Sequence, residues 1–164
     1  MTDALAPGYH TAVESAVRWA EVPPPSVVAE LQNLVQAYAL LTDEGREAEL
    51  AALFWPDAVW DGQELRYGVA TGPAAIAKLV LAHFDAARPI IHMPGPPLLT
   101  ATPDGDVEGI CWCLATRLTD GRTAPMIYFY YHDLMRCDAE GHWRFARRFL
   151  RLRFRDADHA DHTP

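Results

Sequence analysis

Residues 126–154 read MIYFYYHDLMRCDAEGHWRFARRFLRLRF, and the pattern in this stretch decides the fold. Successive side chains of a strand point to opposite faces. Tyr128, Tyr130 and His132 therefore share one face, and Phe129, Tyr131 and Asp133 share the other. Beyond the turn signal Glu140-Gly141, the arginines between Arg144 and Arg155 alternate with Trp143, Phe145, Phe149, Leu150, Leu152 and Phe154. Two long strands follow, Met126 to Arg136 and His142 to Phe154. An arginine–apolar alternation of this kind describes a strand with a polar face better than a nucleic-acid platform. The apolar face needs a cover, and the rest of the chain has to supply it.

Upstream, the same texture reaches back to Pro89. Ile90 to Met93, Pro97 to Thr102 and Val107 to Leu118 are candidate strands, with Asp104-Gly105 and Asp120-Gly121 as turns. Before Pro89 the pattern is helical. Val27, Leu31, Leu34, Tyr38 and Leu41 form one helix face, and Ser26 is the expected N-cap. A second helix is predicted from about Gly45 to Phe54, broken by Pro56-Asp57. Short strands are expected at Val59-Trp60 and Leu65-Arg66, around Asp61-Gly62. Gly72-Pro73 opens a third helix with proline at its favoured first position; Ile76, Leu79, Val80 and His83-Phe84 lie on its apolar side.

Helices followed by a run of antiparallel strands read as α+β. Residues 1–25 read as an extension, in which Thr11 to Ala20 forms a short helix stopped by Pro23-Pro24-Pro25. Residues 26–155 form one domain, and 156–164 a polar, flexible tail.

The 164 residues carry a formal net charge of −8, which argues against nucleic acid as a partner. No apolar run approaches the roughly 18 residues of a membrane span, and MTDALAPGYH lacks the regions of a signal peptide. Cys111, Cys113 and Cys137 make no disulfide framework. A reducing cytoplasm is the expected location. Cys111-Trp112-Cys113 lacks a second cysteine pair and reads as packed side chains, not a metal site. With no nucleotide-loop, nucleophile-elbow or zinc-helix motif, no cofactor and no metal are expected.

Tyr38, Asp43 and His92 are the candidate chemistry. A carboxylate that holds a histidine, with a phenol nearby, can move protons. Each has a plainer reading. Asp43 could cap the helix after Glu44-Gly45-Arg46, Tyr38 could be a core residue, and His92 beside Ile90-Ile91 could simply be packed. Arg148 is either an anion or carbonyl clamp, or an ion-pair partner for Asp133 or Glu108. Trp55, Trp60, Trp112, Tyr128 and Tyr130 are candidate ligand-binding aromatics, with core packing as the alternative. One face of the sheet should line a pocket and the other should meet a partner subunit; the alternation alone does not say which, nor which of Arg147, Arg148 and Arg151 points inward.

Several pieces occur in a recognisable order: Leu34-x3-Tyr38-x4-Asp43, Leu50-x2-Leu53-Phe54-x2-Asp57-Ala58-x-Trp60, Gly68-x3-Gly72-x3-Ile76, Tyr131-x-Asp133, and Gly141-x-Trp143-x-Phe145-x2-Arg148. Together they resemble the NTF2-like superfamily, in its SnoaL-like and scytalone-dehydratase-like branch, and are similar to the bacterial bile-acid dehydratases. The resemblance implies a cone in which N-terminal helices pack in a curved, mostly antiparallel sheet around a pocket. It implies a homodimer and a cofactor-independent lyase, acting by dehydratase-type elimination on a hydrophobic cyclic molecule such as a steroid, terpenoid or polyketide. An isomerase or cyclase using the same proton transfers is the close alternative, and a non-catalytic ligand-binding or assembly subunit the distant one. The family pattern puts the general base on Asp43-His92, with Tyr38 beside it and Arg148 as the late arginine. Where some members carry a second acid or histidine on the middle strand, this chain has Cys111, Trp112 and Cys113.

Overall fold

The computed structural model describes residues 21–86, 89–119, 122–123 and 126–155. The expected helix at Thr11 to Ala20, the turn at Asp120-Gly121 and the tail 156–164 lie outside the described residues.

The first helix, α1 (Pro25–Asp43), buries Leu31, Leu34, Val35, Tyr38, Ala39 and Thr42. It starts one residue before the expected cap. Pro24 is the N-cap and Pro25 the first helical residue, a position where proline's missing N–H would be unsatisfied anyway. Helix α2 (Glu47–Ala52) is shorter than predicted, because Phe54 already belongs to β1 (Phe54–Asp61). Pro56 lies inside that strand and does not end a helix. The register of β1 against its neighbour shifts between Phe54 and Val59, an irregularity of the kind that accommodates proline in a sheet.

The strand expected at Leu65-Arg66 is a 3-10 turn over Gln63–Leu65, closed by Arg66 at φ 67°. Local hydrogen bonds from Leu65 and Tyr67 N–H to the Gly62 carbonyl, both 3.0 Å, take the backbone groups a strand would have paired. Strand β2 (Val69–Thr71) follows. Helix α3 (Pro73–Val80) begins at proline as predicted, after Gly72 at φ 83°. The remaining strands are β3 (Ile90–Pro94), β4 (Leu98–Ala101), β5 (Val107–Thr119), β6 (Arg122–Thr123), β7 (Ile127–Cys137) and β8 (Trp143–Arg155). They match the predicted strands to within a residue or two, with β6 added.

The eight strands make one curved, unclosed sheet in the order β2-β1-β8-β7-β5-β3, with β4 and β6 paired to β5. Among the described residues only β1 and β8 run parallel; the other pairings are antiparallel. The three helices and this sheet form the NTF2-like cone. Register sets which face is covered. Cys111 pairs with Tyr131, and Cys113 with Phe129; Tyr131 in turn pairs with Leu150 and Asp133 with Arg148. All of these are buried with Leu31, Val35 and Tyr38 of α1. The interior is thus the face of Phe129, Tyr131 and Asp133. No described helix is long and apolar enough to cross a membrane.

Candidate active site

The inner face of the sheet and α1 line a partly open cavity of about 240 Å³. Its floor is buried and mostly aromatic or aliphatic: Tyr38, Trp60, Ala115, Phe129, Tyr131 and Leu150. Half-buried Tyr67, Val80, Ile90, Arg117 and Ile127 form its rim.

His92 and Asp43 meet at this cavity. Asp43 is the last residue of α1, and β3 runs beside that helix end. One carboxylate oxygen of Asp43 lies 2.5 Å from His92 Nδ1. The other accepts the His92 backbone N–H at 2.9 Å. A single carboxylate therefore fixes both the strand and the ring. With Asp43 ionised, Nδ1 carries the proton and Nε2 is left as the basic nitrogen. The pair is shielded but not sealed, with side-chain exposures of 14% for His92 and 20% for Asp43. Asp43 does not cap α2, whose N-cap is Arg46 and which has no side-chain cap bond.

Tyr38 stands five residues earlier on α1 and lines the cavity. The Trp60 indole N–H donates to its hydroxyl at 2.9 Å, so the phenol accepts there and keeps its own proton to donate. Burial pushes the Tyr38 pKa up to about 12, against the opposing pull of Arg148 and the Trp60 hydrogen bond. The phenol is protonated at neutral pH.

Arg148 lies beneath this layer. It is fully buried and makes two bonds to Asp133, at 2.8 Å from Nε and 2.7 Å from Nη2. Its guanidinium carbon sits 4.1, 4.0 and 3.9 Å from the ring centres of Tyr38, Tyr131 and Phe145. The remaining nitrogen, Nη1, has no hydrogen-bond partner among the described residues; the three ring faces supply the stabilisation a partner would give. Burial raises the Asp133 carboxyl and Arg148 opposes that rise. The arginine supports Tyr38 from behind and is not part of the cavity wall.

The SnoaL-like domain family matches residues 26–149. The chain belongs to that family. No curated protein matches it in sequence. Among solved structures it is similar to ActVI-ORFA from Streptomyces coelicolor, with 21% identity over 77% of this chain and 97% of the other, TM-score 0.66. A scytalone-dehydratase-like protein from Novosphingobium aromaticivorans is 22% identical over 79% and 86% of the two chains, TM-score 0.66. The hexachlorocyclohexane dehydrochlorinase LinA-type3 from Novosphingobium barchaimii is 21% identical over 79% and 88%, TM-score 0.67. At such identities the likeness is one of fold.

Within this SnoaL-like cone the other candidate aromatics separate. Trp60 lines the cavity. Tyr128 and Tyr130 sit on the opposite face of the sheet, their hydroxyls 2.9 Å apart. Trp112, opposite Tyr130 in register, is also outside and 39% exposed. Period two puts all three out of the cavity's reach. Trp55 lies away from the cavity wall too, donating to the Arg136 carbonyl at 3.0 Å. Of the late arginines, Arg147 and Arg151 both rest on the outer Phe149 ring, at 5.1 and 5.5 Å. Cys111 and Cys113 occupy the inner face, where burial lifts both thiols to about 12 and leaves them neutral.

Sequence reasoning passed over Thr42, Tyr67, Thr116 and Arg117, which all line the cavity. Only Arg117 had a readable signal. It continues the Cys111, Cys113, Ala115 series at period two.

Proposed function

We propose that the protein is a cofactor-independent lyase that eliminates water from a hydrophobic cyclic alcohol. The observation that carries this reading is the Asp43 carboxylate holding, through Nδ1, a histidine in the wall of a mainly apolar cavity. Membership of a family whose solved neighbours include a dehydrochlorinase supports a small-molecule elimination.

His92 Nε2 takes a proton from the carbon next to a carbonyl or similar activating group. The C–H electron pair becomes the new double bond as the C–O bond breaks. Asp43 stabilises the transient imidazolium. Tyr38, protonated and oriented by Trp60, donates a hydrogen bond to the departing oxygen. The proton on His92 then passes to that oxygen, so water leaves and the imidazole is neutral again. Arg148 is a positioning residue in this scheme, holding the Tyr38 ring.

A cavity of about 150 Å³ holds benzene, so one of about 240 Å³ suits one or two fused rings better than an enclosed four-ring steroid. The test is turnover of a panel of mono- and bicyclic β-hydroxy ketones and acids, with loss of water read by mass spectrometry. His92→Ala is expected to lower the rate about 100-fold or more, the scale of a positioned acid–base group. Unchanged turnover in that variant overturns the mechanism.

A further inference from the structure

The floor of the cavity carries one side chain larger than the rest. Trp60 is 2% exposed and lines the cavity there. Its backbone sits inside the sheet, paired with Ala70 of β2 on one side and Arg148 of β8 on the other. Its indole is pinned at both ends. At one end the N–H donates to the Tyr38 hydroxyl at 2.9 Å. At the other, the six-membered ring presses on Gly62 so closely that a methyl there would overlap its Cη2 and Cζ3 atoms. Gly62 is itself held in place. Its N–H donates to the Gly68 carbonyl at 2.9 Å, and its carbonyl accepts the N–H groups of Leu65 and Tyr67. The backbone at Gly62 does not demand a glycine, since φ is −115°, a value open to residues with a Cβ. What excludes a side chain there is the indole. A buried, close-packed wall of this kind does not yield to a ligand.

We infer that Trp60, seated by Gly62, limits the ring system this cavity can bury to two fused rings. The inference rests on the reading of the cavity as the substrate site and names the residue that sets ring number there. A bicyclic ligand fills the space above the indole; burying a third fused ring needs the volume the indole holds. Cutting Trp60 to leucine removes as many heavy atoms as a benzene ring contains, which is room enough for that third ring. A methyl added at Gly62 acts in the opposite direction. With close-packed neighbours behind it, the displaced indole has the cavity as the space to move into, and the site shrinks.

The experiment is calorimetric binding of phenol, 2-naphthol and 2-anthrol to the full chain, Trp60→Leu, Gly62→Ala and Trp55→Leu. Trp55 is the control, an indole away from the cavity wall. In the full chain the second ring is expected to tighten binding about tenfold or more, and the third ring to add nothing. In Trp60→Leu the third ring also gains about tenfold or more. In Gly62→Ala the second ring loses its gain, and Trp55→Leu behaves as the full chain does. The inference is overturned by a full chain that binds none of the three, or in which the third ring adds as much as the second. It is overturned equally by a folded Trp60→Leu in which the third ring still adds nothing, or by the same third-ring gain in Trp55→Leu. If Trp60→Leu does not fold, Gly62→Ala decides, and a second-ring gain retained there overturns the inference. Binding is read without turnover. A full chain that shows this ring order and eliminates nothing keeps the inference and fails the lyase reading; one that dehydrates alcohols without the order does the reverse.

Discussion

Asp43 and Asp133 both hold a nitrogen partner on the inner face of the same cone, and their surroundings differ. The Asp133–Arg148 pair is sealed, with side-chain exposures of 1% and 0%. The Asp43–His92 pair reaches the cavity through His92 and keeps some exposure. A sealed pair with matched forks cannot exchange a proton with a ligand; its effect is on the shape of what lies above it. A pair at a cavity wall, with one ring nitrogen uncommitted to the carboxylate, can. Burial, more than residue type, separates the structural carboxylate from the chemical one.

Breaking the sealed pair should have the largest effect. Arg148→Ala leaves Asp133 as an uncompensated buried charge, and the expected loss is about 3–5 kcal/mol of stability by urea unfolding. Replacing both members with apolar residues of similar volume should recover most of it. If Arg148→Ala costs no more than a surface change, the contrast between the two pairs collapses.

Asp43→Asn is the opposite case. We expect a rate loss of about 100-fold, or some 2.7 kcal/mol of transition-state stabilisation, with a much smaller change in unfolding free energy. A variant that loses stability and activity in proportion would make Asp43 a structural residue like Asp133.

Tyr38→Phe tests the link between the two pairs, since Tyr38 touches the cavity on one side and Arg148 on the other. It keeps the ring packing but leaves the buried Trp60 N–H without its acceptor, an expected cost of about 1–3 kcal/mol. The same hydroxyl makes an alkaline prediction. Its pKa is raised to about 12 in the fold from the ordinary value near 10. The native state therefore holds the proton more tightly than the unfolded chain. That contribution is complete below about pH 10 and is lost as pH rises toward 12. Stability measured over that window should fall less in Tyr38→Phe than in the unsubstituted chain.

The smallest effect belongs to the exposed ion pair between Arg46 and Glu49, on the outside of α2. Arg46→Ala should leave stability and activity essentially unchanged, because solvent screens so exposed a pair. Thermal unfolding is the check.

Much of this was legible in the chain. The period-two runs at Met126 to Arg136 and His142 to Phe154 become β7 and β8 with shifts of only one residue at each end. Long alternating segments carry their own evidence, because each added residue repeats the signal. Around Pro56 and Leu65 the reading failed, and both failures are local competitions. A register shift lets β1 run through a proline, and hydrogen bonds to the Gly62 carbonyl turn a predicted strand into a 3-10 turn. The meeting of Asp43 with His92 was accessible only through the family resemblance, since 49 positions separate them.

The order of elements, the apolar stripe of α1 and the alternation of the strands are all written in the chain, because local periodicity needs only neighbours. Which face of the sheet turns inward is a different kind of fact. Phe129 and Tyr128 are equally aromatic, and nothing in their spacing ranks one above the other. That choice came from strand register and from the helix that covers one side. The same packing put Arg148 inside and Arg147 and Arg151 outside, sealed Asp133, and set Asp43 behind a histidine that lines the cavity. Residue type supplied the possible chemistry, and the tertiary contacts decided which carboxylate could use it.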